Sequence, residues 1–310
     1  MRFVYQRSGI KPNMFCSLIL IVCLIWSMCL TVHAGGDAGP EKEIYIPSTG
    51  MVKQTTSKAA IDLSNTDQGY AMCRYFGSSD KVIVMVEKDD SDKPHRYYIN
   101  TDGKYEAVPF SQEDGLYHID IWELRSGHNI YALAARADVE VTLADQFLSF
   151  LYASHVVKFT ATSRVVEKSR ELTEGSKADA DKIAAIYRYV VKNIHYDHQL
   201  ADSPPVGYAS DPDKILESGK GICIDYSVLA AAMLRAQGIP TKVIYGYIPD
   251  GTYHCWISVY SIDSGRTHDG VRILADRWTR LDPTLAAEEE WFANNLKRLE
   301  KGVHDILYTN

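Results

Sequence analysis

The segment Val228-Leu229-Ala230-Ala231-Ala232-Met233-Leu234 constrains this chain more than any other. It is apolar throughout, with Gly219-Lys220-Gly221 before it and Gly238-Ile239-Pro240 after it, and predicts a helix over Ile222 to Gln237. Gly238 closes that helix and Pro240 prevents its continuation. A helix apolar nearly all round has no face for water, so other elements must wrap it. After it, Thr241 to Ile248, Cys255 to Ile262 and roughly Trp278 to Leu281 read as strands. Before it, Arg164 to Leu172 reads as a short helix ended by Gly175. Ser176, with Asp179 three residues on, is placed to cap the next. On that helix Ile183, Ile186, Tyr187, Val190, Val191 and Ile194 share one face. Asp211-Pro212-Asp213 opens another short helix, which Gly219 stops. Glu288 to Tyr308 reads as an amphipathic terminal helix that turns Trp291, Phe292, Leu296, Leu299 and Val303 inward, its acidic Glu288-Glu289-Glu290 a favourable start. Helices followed by an antiparallel sheet against a central helix make an α+β domain.

The earlier part of the chain has a different rhythm. Lys81 to Glu87, His95 to Ile99, Leu116 to Leu124, Asn129 to Ala135 and Asp138 to Leu143 read as short strands, with Asp102-Gly103, Asp114-Gly115 and Ser126-Gly127 between them. This spacing predicts a small antiparallel β-sandwich of about seven strands. Its simplest role is to position the helical half of the chain; binding of a wall or surface partner is the alternative. Phe147, Phe150, Leu151 and Tyr152 are placed to pack the two parts together. The expected organisation is residues 1–34 as signal peptide or membrane anchor, 35–55 as leader, 56–160 as the β-sandwich domain and 161–310 as a catalytic domain. In the first segment Arg2, Arg7 and Lys11 precede an apolar run from Met14 to Leu30, and Val32 and Ala34 are the small residues before a cut. Membrane contact is expected only through residues 14–30, and only if they are retained.

Charge narrows the partners. The chain holds 33 Lys and Arg against 40 Asp and Glu, and three of the basic residues lie in the first 34. No basic tract remains for nucleic acid or an anionic membrane. An acidic protein secreted or held at the cell surface, outside the cytoplasm, fits. Cys16, Cys23 and Cys29 fall in the leading segment, which leaves Cys73, Cys223 and Cys255. An odd number in an exported chain leaves at least one thiol unpaired, and an unpaired thiol asks for a chemical reason.

Cys223 supplies one. It stands at the start of the buried helix, where free N–H groups and the helix dipole favour a thiolate and can serve a developing oxyanion. His254 comes next, at the mouth of a strand, and Asp282 ends another strand just before Pro283. If both strands flank the helix, the three side chains meet at one end of the sheet. The imidazole can then take the thiol proton and return it to a leaving group, while the carboxylate orients the ring.

The stretch Gly219-Lys220-Gly221-Ile222-Cys223-Ile224-Asp225-Tyr226-Ser227 resembles the transglutaminase-like core. So do Leu234-Arg235-Ala236-Gln237-Gly238-Ile239-Pro240, Gly246-Tyr247, His254-Cys255-Trp256 and Trp278-Thr279-Arg280-Leu281-Asp282-Pro283-Thr284. The resemblance covers roughly residues 176–285 and implies a papain-like catalytic triad of Cys223, His254 and Asp282. The chain also resembles, more distantly, exported bacterial proteins with a β domain ahead of this core. The implied activity is thiol-dependent hydrolysis of a peptide or amide bond. Protein cross-linking by acyl transfer to an amine is the alternative, and a non-catalytic surface module a third reading, because the family includes all of these. The partner is then a protein or peptide substrate, wall- or surface-associated.

Further residues are candidates around the triad. Tyr208, 15 residues before Cys223, is placed where a polar side chain could serve an oxyanion; Tyr253, Trp256 and Trp278 could wall the cleft. Asp225 supports the helix start and opposes the thiolate. Cys255 departs from the family, where a small residue such as Ala is commoner. Strand alternation turns it toward the core, away from Cys223, and a disulfide with Cys73 would need contact between the two domains. No cofactor or metal is expected. His195 and His198 lack further ligands at sensible spacing, Cys223, His254, Cys255 and Asp282 fit no compact zinc motif, and Gly219-Lys220-Gly221 lacks the phosphate-loop pattern.

Overall fold

The structure is a computed structural model that describes residues 50–91, 93–125, 130–248, 251–268, 270–288 and 305–310. The expected signal or anchor, and the leader up to residue 49, lie outside the described residues. Among the described residues no helix is long and apolar enough to cross a membrane.

Eight strands come first: β1 (Lys53–Thr55), β2 (Ala59–Asp62), β3 (Tyr70–Tyr75), β4 (Val82–Lys88), β5 (His95–Ile99), β6 (Glu106–Pro109), β7 (Gly115–Arg125) and β8 (Ile130–Val141). They form two antiparallel sheets, ordered β1-β2-β3-β6 and β5-β4-β7-β8. Alternation decides which residues face inward. Val82, Val84 and Val86 of β4 and Tyr117, Ile119 and Ile121 of β7 are buried against Ile61, Cys73 and Tyr75 of the other sheet. Two expected strands, broken near Ala135, are one long strand β8. The sheet accommodates the break with a bulge: Ile121 pairs with Ala135 and Trp122 with Leu133, so Ala134 is the extra residue.

The second half runs α1 (Arg164–Thr173), α2 (Asp179–Asn193), β9 (His195–Tyr196), α3 (His198–Asp202), α4 (Pro212–Ser218), β10 (Lys220–Gly221), α5 (Cys223–Ala236), β11 (Thr241–Tyr247), β12 (Tyr253–Ser261), β13 (Gly265–Arg266), β14 (Arg272–Ile273), β15 (Arg277–Leu281), α6 (Pro283–Ala287) and β16 (Asp305–Thr309). Val228 to Leu234 of α5 are wholly inaccessible to water. One face of α5 meets α1 and α2, and the other meets Val243 of β11 and Cys255, Ile257 and Val259 of β12. The mixed α/β architecture, with antiparallel sheets and a central helix, is the one the sequence predicts. Its main sheet is ordered β15-β12-β11-β16.

Two local expectations change. α2 is not capped by Ser176; the Asp179 amide donates instead to Asp263 Oδ2 at 2.9 Å, from the loop after β12. The chain end is not helical over Asp305–Thr309, which adds to β11 as an antiparallel strand. Asp-Ile-Leu-Tyr-Thr has β-branched and aromatic content, and the exposed edge of β11 offers backbone hydrogen bonds that an isolated final helical turn would forgo. Residues 289–304 of the expected terminal helix, including Trp291, Phe292, Leu296, Leu299 and Val303, lie outside the described residues.

The described residues all belong to one compact unit, so sandwich and core pack directly together. Phe147 and Phe150 contribute as expected: Phe147 lies 4.4 Å from Tyr260 and 6.0 Å from Trp278, and Phe150 lies 5.6 Å from Trp278. Beside them Arg235, at the end of α5 and almost wholly buried, donates from Nε and Nη2 to the Thr241 carbonyl and from Nη1 to that of Tyr152, at 2.8 to 3.0 Å.

Candidate active site

Cys223 is the first residue of α5, and its approach is built by short-range rules. Gly219 ends α4 in the left-handed region (φ 64°), which glycine adopts without strain. Lys220-Gly221 then pairs in parallel with His195-Tyr196. The His195 amide donates to the Gly219 carbonyl at 2.8 Å and the Asp197 amide to that of Gly221 at 2.9 Å. Gly221 has a further reason to be glycine: a Cβ there would stand 2.5 Å from Asp225 Cβ. Its absence lets Asp225 fold back and accept the Ile222 amide at 2.8 Å. Asp225 thus satisfies one of the donors that a helix start leaves unpaired. Burial pushes its carboxyl up, against the lowering effect of the Ile222 amide and the Tyr208 hydroxyl.

His254 enters from the start of β12, paired with Gly246 of β11. Asp282 enters from the end of β15 and caps α6, accepting the Leu285 amide at 3.1 Å. Since β15 pairs with β12, strand end and strand start fall on the same edge, and His254 Nε2 lies 3.0 and 3.2 Å from the two Asp282 oxygens. The Cys223 side chain stands close enough to the same imidazole to raise its proton affinity. With Nε2 given to the carboxylate, Nδ1 is the nitrogen left for sulfur. The structure therefore brings together the three residues singled out from the sequence.

The electrostatics depend on this geometry. Burial alone would depress His254. The Asp282 charge and hydrogen bond, with help from Cys223, outweigh it and carry the imidazole up to about 10. Asp282 is held below the usual carboxylate range: its burial acts upward, but His254, the Leu285 amide and Arg280 prevail. Arg280 was not singled out from the sequence. It reaches within 3.6 Å of Asp282 Oδ2, and its guanidinium lies 4.8 Å from the Trp256 ring centroid. A lone Arg two residues before the Asp carries no local signal; only the shared strand face puts them together. Tyr187 is a second such group, its hydroxyl donating to the Asp282 carbonyl at 3.1 Å.

The other candidates separate. Trp256 is buried and stacks on His254 at 24° and 6.3 Å between centroids, on the same strand face as expected. Tyr253 is half exposed at the rim and stacks with Tyr245. Trp278 is elsewhere. It pairs across from Tyr260, six residues along β12 from His254 and so about 20 Å away; it packs the sandwich junction rather than the thiol. Tyr208 donates its single hydroxyl proton toward Asp225, at 3.0 and 3.1 Å, so that proton serves the helix start rather than an oxyanion. Cys255 is buried among the core side chains, but not away from Cys223 as alternation alone suggests. Burial pushes its thiol up and the nearby Cys223 charge adds to this, while Ser227, one helical turn after Cys223, donates its hydroxyl to the Cys223 carbonyl at 2.9 Å. Alternation fixes the sheet face, and that face is the one on which α5 lies. Cys73, Cys223 and Cys255 are all free thiols, with Cys73 in the sandwich core. His195 and His198 are exposed, and among the described residues no group of three metal-ligating side chains converges.

Residues 166–283 match the transglutaminase-like superfamily, beginning inside α1. No curated protein matches the chain. Among solved structures, the chain is similar to a TGase at 24% identity and TM-score 0.30, over 39% of this chain and 30% of that one. It is similar to a proposed cysteine protease from Cytophaga hutchinsonii at 14% identity and TM-score 0.40, over 84% of this chain and 74% of that one. It is similar to red sea bream transglutaminase at 12% identity and TM-score 0.31, over 69% and 48%. This chain therefore spans less than a third of the first structure and about half of the last. Its residues 166–283 are a transglutaminase-like superfamily domain.

Proposed function

We propose that this protein is a thiol-dependent amide hydrolase acting on peptide or protein substrates outside the cytoplasm. One observation carries the reading: Cys223, at the start of a buried helix, stands beside an imidazole whose Nε2 is held at 3.0 Å by a nearly buried carboxylate. The thiolate attacks the carbonyl carbon, and the amide N–H groups at the start of α5 face the oxygen that gains charge. His254, protonated through neutral pH, gives its proton to the departing nitrogen. The C–N bond breaks, a thioester forms, and His254 is left neutral to activate water for the second step. Asp282 keeps the ring oriented and offsets its charge.

The test is alkylation of the purified protein by iodoacetamide across pH 5 to 9, the labelled residue being mapped by mass spectrometry. Wild type is compared with Cys223→Ala and His254→Ala. Selective labelling of Cys223 that collapses without His254 supports the triad. Labelling no faster than an ordinary thiol, and indifferent to His254→Ala, leaves a binding module as the better reading. Adding a primary amine to an acyl-enzyme assay then separates hydrolysis from cross-linking.

A further inference from the structure

We propose that the N-terminal sandwich walls a substrate subsite beside Cys223, and that this subsite takes an aromatic side chain on the acyl part of a peptide. The proposal rests on the reading of Cys223 as nucleophile. A cavity of about 350 Å³ opens between β5 and the core, within the range of pockets that hold small ligands. Its sandwich wall is His95 to Tyr98, and Tyr208, Ile224, Tyr245 and Tyr253 face it from the core. Cys223 and His254 do not line it, but Ile224 directly succeeds the one and Tyr253 directly precedes the other. Tyr245 spans the gap, being close enough to feel both Cys223 and Tyr97 electrostatically. The cavity thus lies beside the Cys223–His254 pair, and the acyl part of a substrate, which remains bound through both steps, is the part assigned to it.

The lining selects by chemistry. No Asp or Glu lines the cavity, in a chain that holds 40 of them. A lysine or arginine side chain entering it would lose water and gain no carboxylate. Burial keeps His95 neutral, pushing it down to about 4, and its Nδ1 pairs with the Ser111 hydroxyl at 2.9 Å. Arg96 also lines the cavity but is exposed, so its guanidinium stays in water and offers an acidic side chain little; what remains is dominated by tyrosine, whose rings offer faces and edges to another aromatic group.

The sandwich wall is fixed in place. The Tyr97 hydroxyl donates to Asn310 Oδ1 at 2.7 Å, and Lys93 Nζ donates to the Ile306 carbonyl at 2.9 Å, tying β5 to β16 and so to β11. Tyr98 lies against Gly207, where a Cβ would meet its ring at 3.8 Å. Specificity by a preformed wall needs this rigidity.

The experiment uses the full chain and chloromethyl ketones, in which the Cys223 sulfur displaces chloride from the methylene carbon. Phe, Ala, Lys or Asp is placed first or second from the reactive group, in two acetylated dipeptide series with Gly at the other position. In one series the Phe reagent is expected to inactivate at least tenfold faster than the other three. That ratio should fall near one in Tyr98→Ala and persist in Tyr98→Phe. Tyr98 is 42% exposed, so both variants keep the core intact, which thermal melts check. Equal rates in both series, a lead for Lys or Asp, or an undiminished ratio in Tyr98→Ala overturns the subsite. Iodoacetamide on the wild type separates the two readings: if it labels Cys223 selectively while the Phe preference is missing, only the subsite falls, and if it does not, both fall.

Discussion

Replacing Asp282 by Asn tests the electrostatic core of the site with little disturbance to the fold. Asn is as good an N-cap as Asp, so the Leu285 amide keeps a partner and α6 its start. What disappears is the charge 3.0 Å from His254 Nε2. The imidazole stands at about 10 against an ordinary 6.5, a difference worth about 5 kcal/mol at roughly 1.4 kcal/mol for each tenfold change. Asp282 shares that with Cys223 and works against burial, which remains in the variant and pulls the imidazole down. Assigning Asp282 about 3 kcal/mol, in line with a buried charged hydrogen bond, the equilibrium between the imidazolium–thiolate pair and its neutral form shifts about a hundredfold toward the neutral form. Iodoacetamide alkylation of Cys223 at pH 7 should slow by up to that factor, and the NMR titration of the His254 ring should move to lower pH. Loss of the same stabilisation should lower the melting temperature by roughly 5–10 °C, so the variant is assayed well below its melt. An alkylation rate within twofold of wild type, in a variant folded at the assay temperature, would mean that the carboxylate does not hold the imidazolium, and the triad reading would lose its main support.

Three further perturbations read other parts of the structure. A His raised above its unfolded value stabilises most at low pH: the gain is complete below about 6.5 and is lost as pH climbs through about 10. The stability gap between wild type and His254→Gln, from urea melts, should therefore narrow by a few kcal/mol between pH 6 and pH 10; a constant gap refutes it. Gly221→Ala drives a Cβ to 2.5 Å from Asp225, so Asp225 must withdraw from the Ile222 amide. About 1–3 kcal/mol of stability should go with it, along with most Cys223 labelling, and an undisturbed variant would show that the fold-back is dispensable. Arg235→Met strips the Thr241 and Tyr152 carbonyls of their donors, which should cost about 3 kcal/mol in a denaturant titration; a loss under 1 kcal/mol would mean those carbonyls find other partners.

Legibility in the sequence obeyed a physical division. Cys223, His254 and Asp282 sit where elements begin or end, and such places carry local signals: Gly-Lys-Gly before a helix, a strand after Gly-Thr-Tyr, Asp-Pro after a strand. The apolar run of α5 declared its own burial because no amphipathic alternative exists for it. Residues defined by pairing carried no such mark. Arg280 reaches Asp282 only because Asp282, just past the end of β15, continues the strand face on which Arg280 lies. Trp278 looked like a cleft residue because it shares a segment with Asp282, yet the antiparallel register with β12 sets it across from Tyr260, at the other end. Cys255 shows the limit most clearly. Alternation assigned its face correctly, but a face becomes a neighbourhood only once the layer above is known, and that layer is α5 with Cys223 and Ser227.

The same division explains why the cavity beside Cys223 was invisible. Its sandwich wall, His95 to Tyr98, is separated from Ile224 by more than a hundred residues, and nothing in β5 as a sequence distinguishes it from the other strands. Read alone, the sandwich is a spacer. In three dimensions β5 is an edge strand, paired on one side with β4 only, and its far side faces the core. An edge left open to water invites other chains; here Tyr97 and Lys93 meet Asn310 and Ile306 instead. The contact that covers the edge also encloses the space lined by Ile224, Tyr245 and Tyr253. A wall made this way can vary in its side chains without altering α5, β12 or β15, so substrate preference can change while the Cys-His-Asp geometry stays fixed.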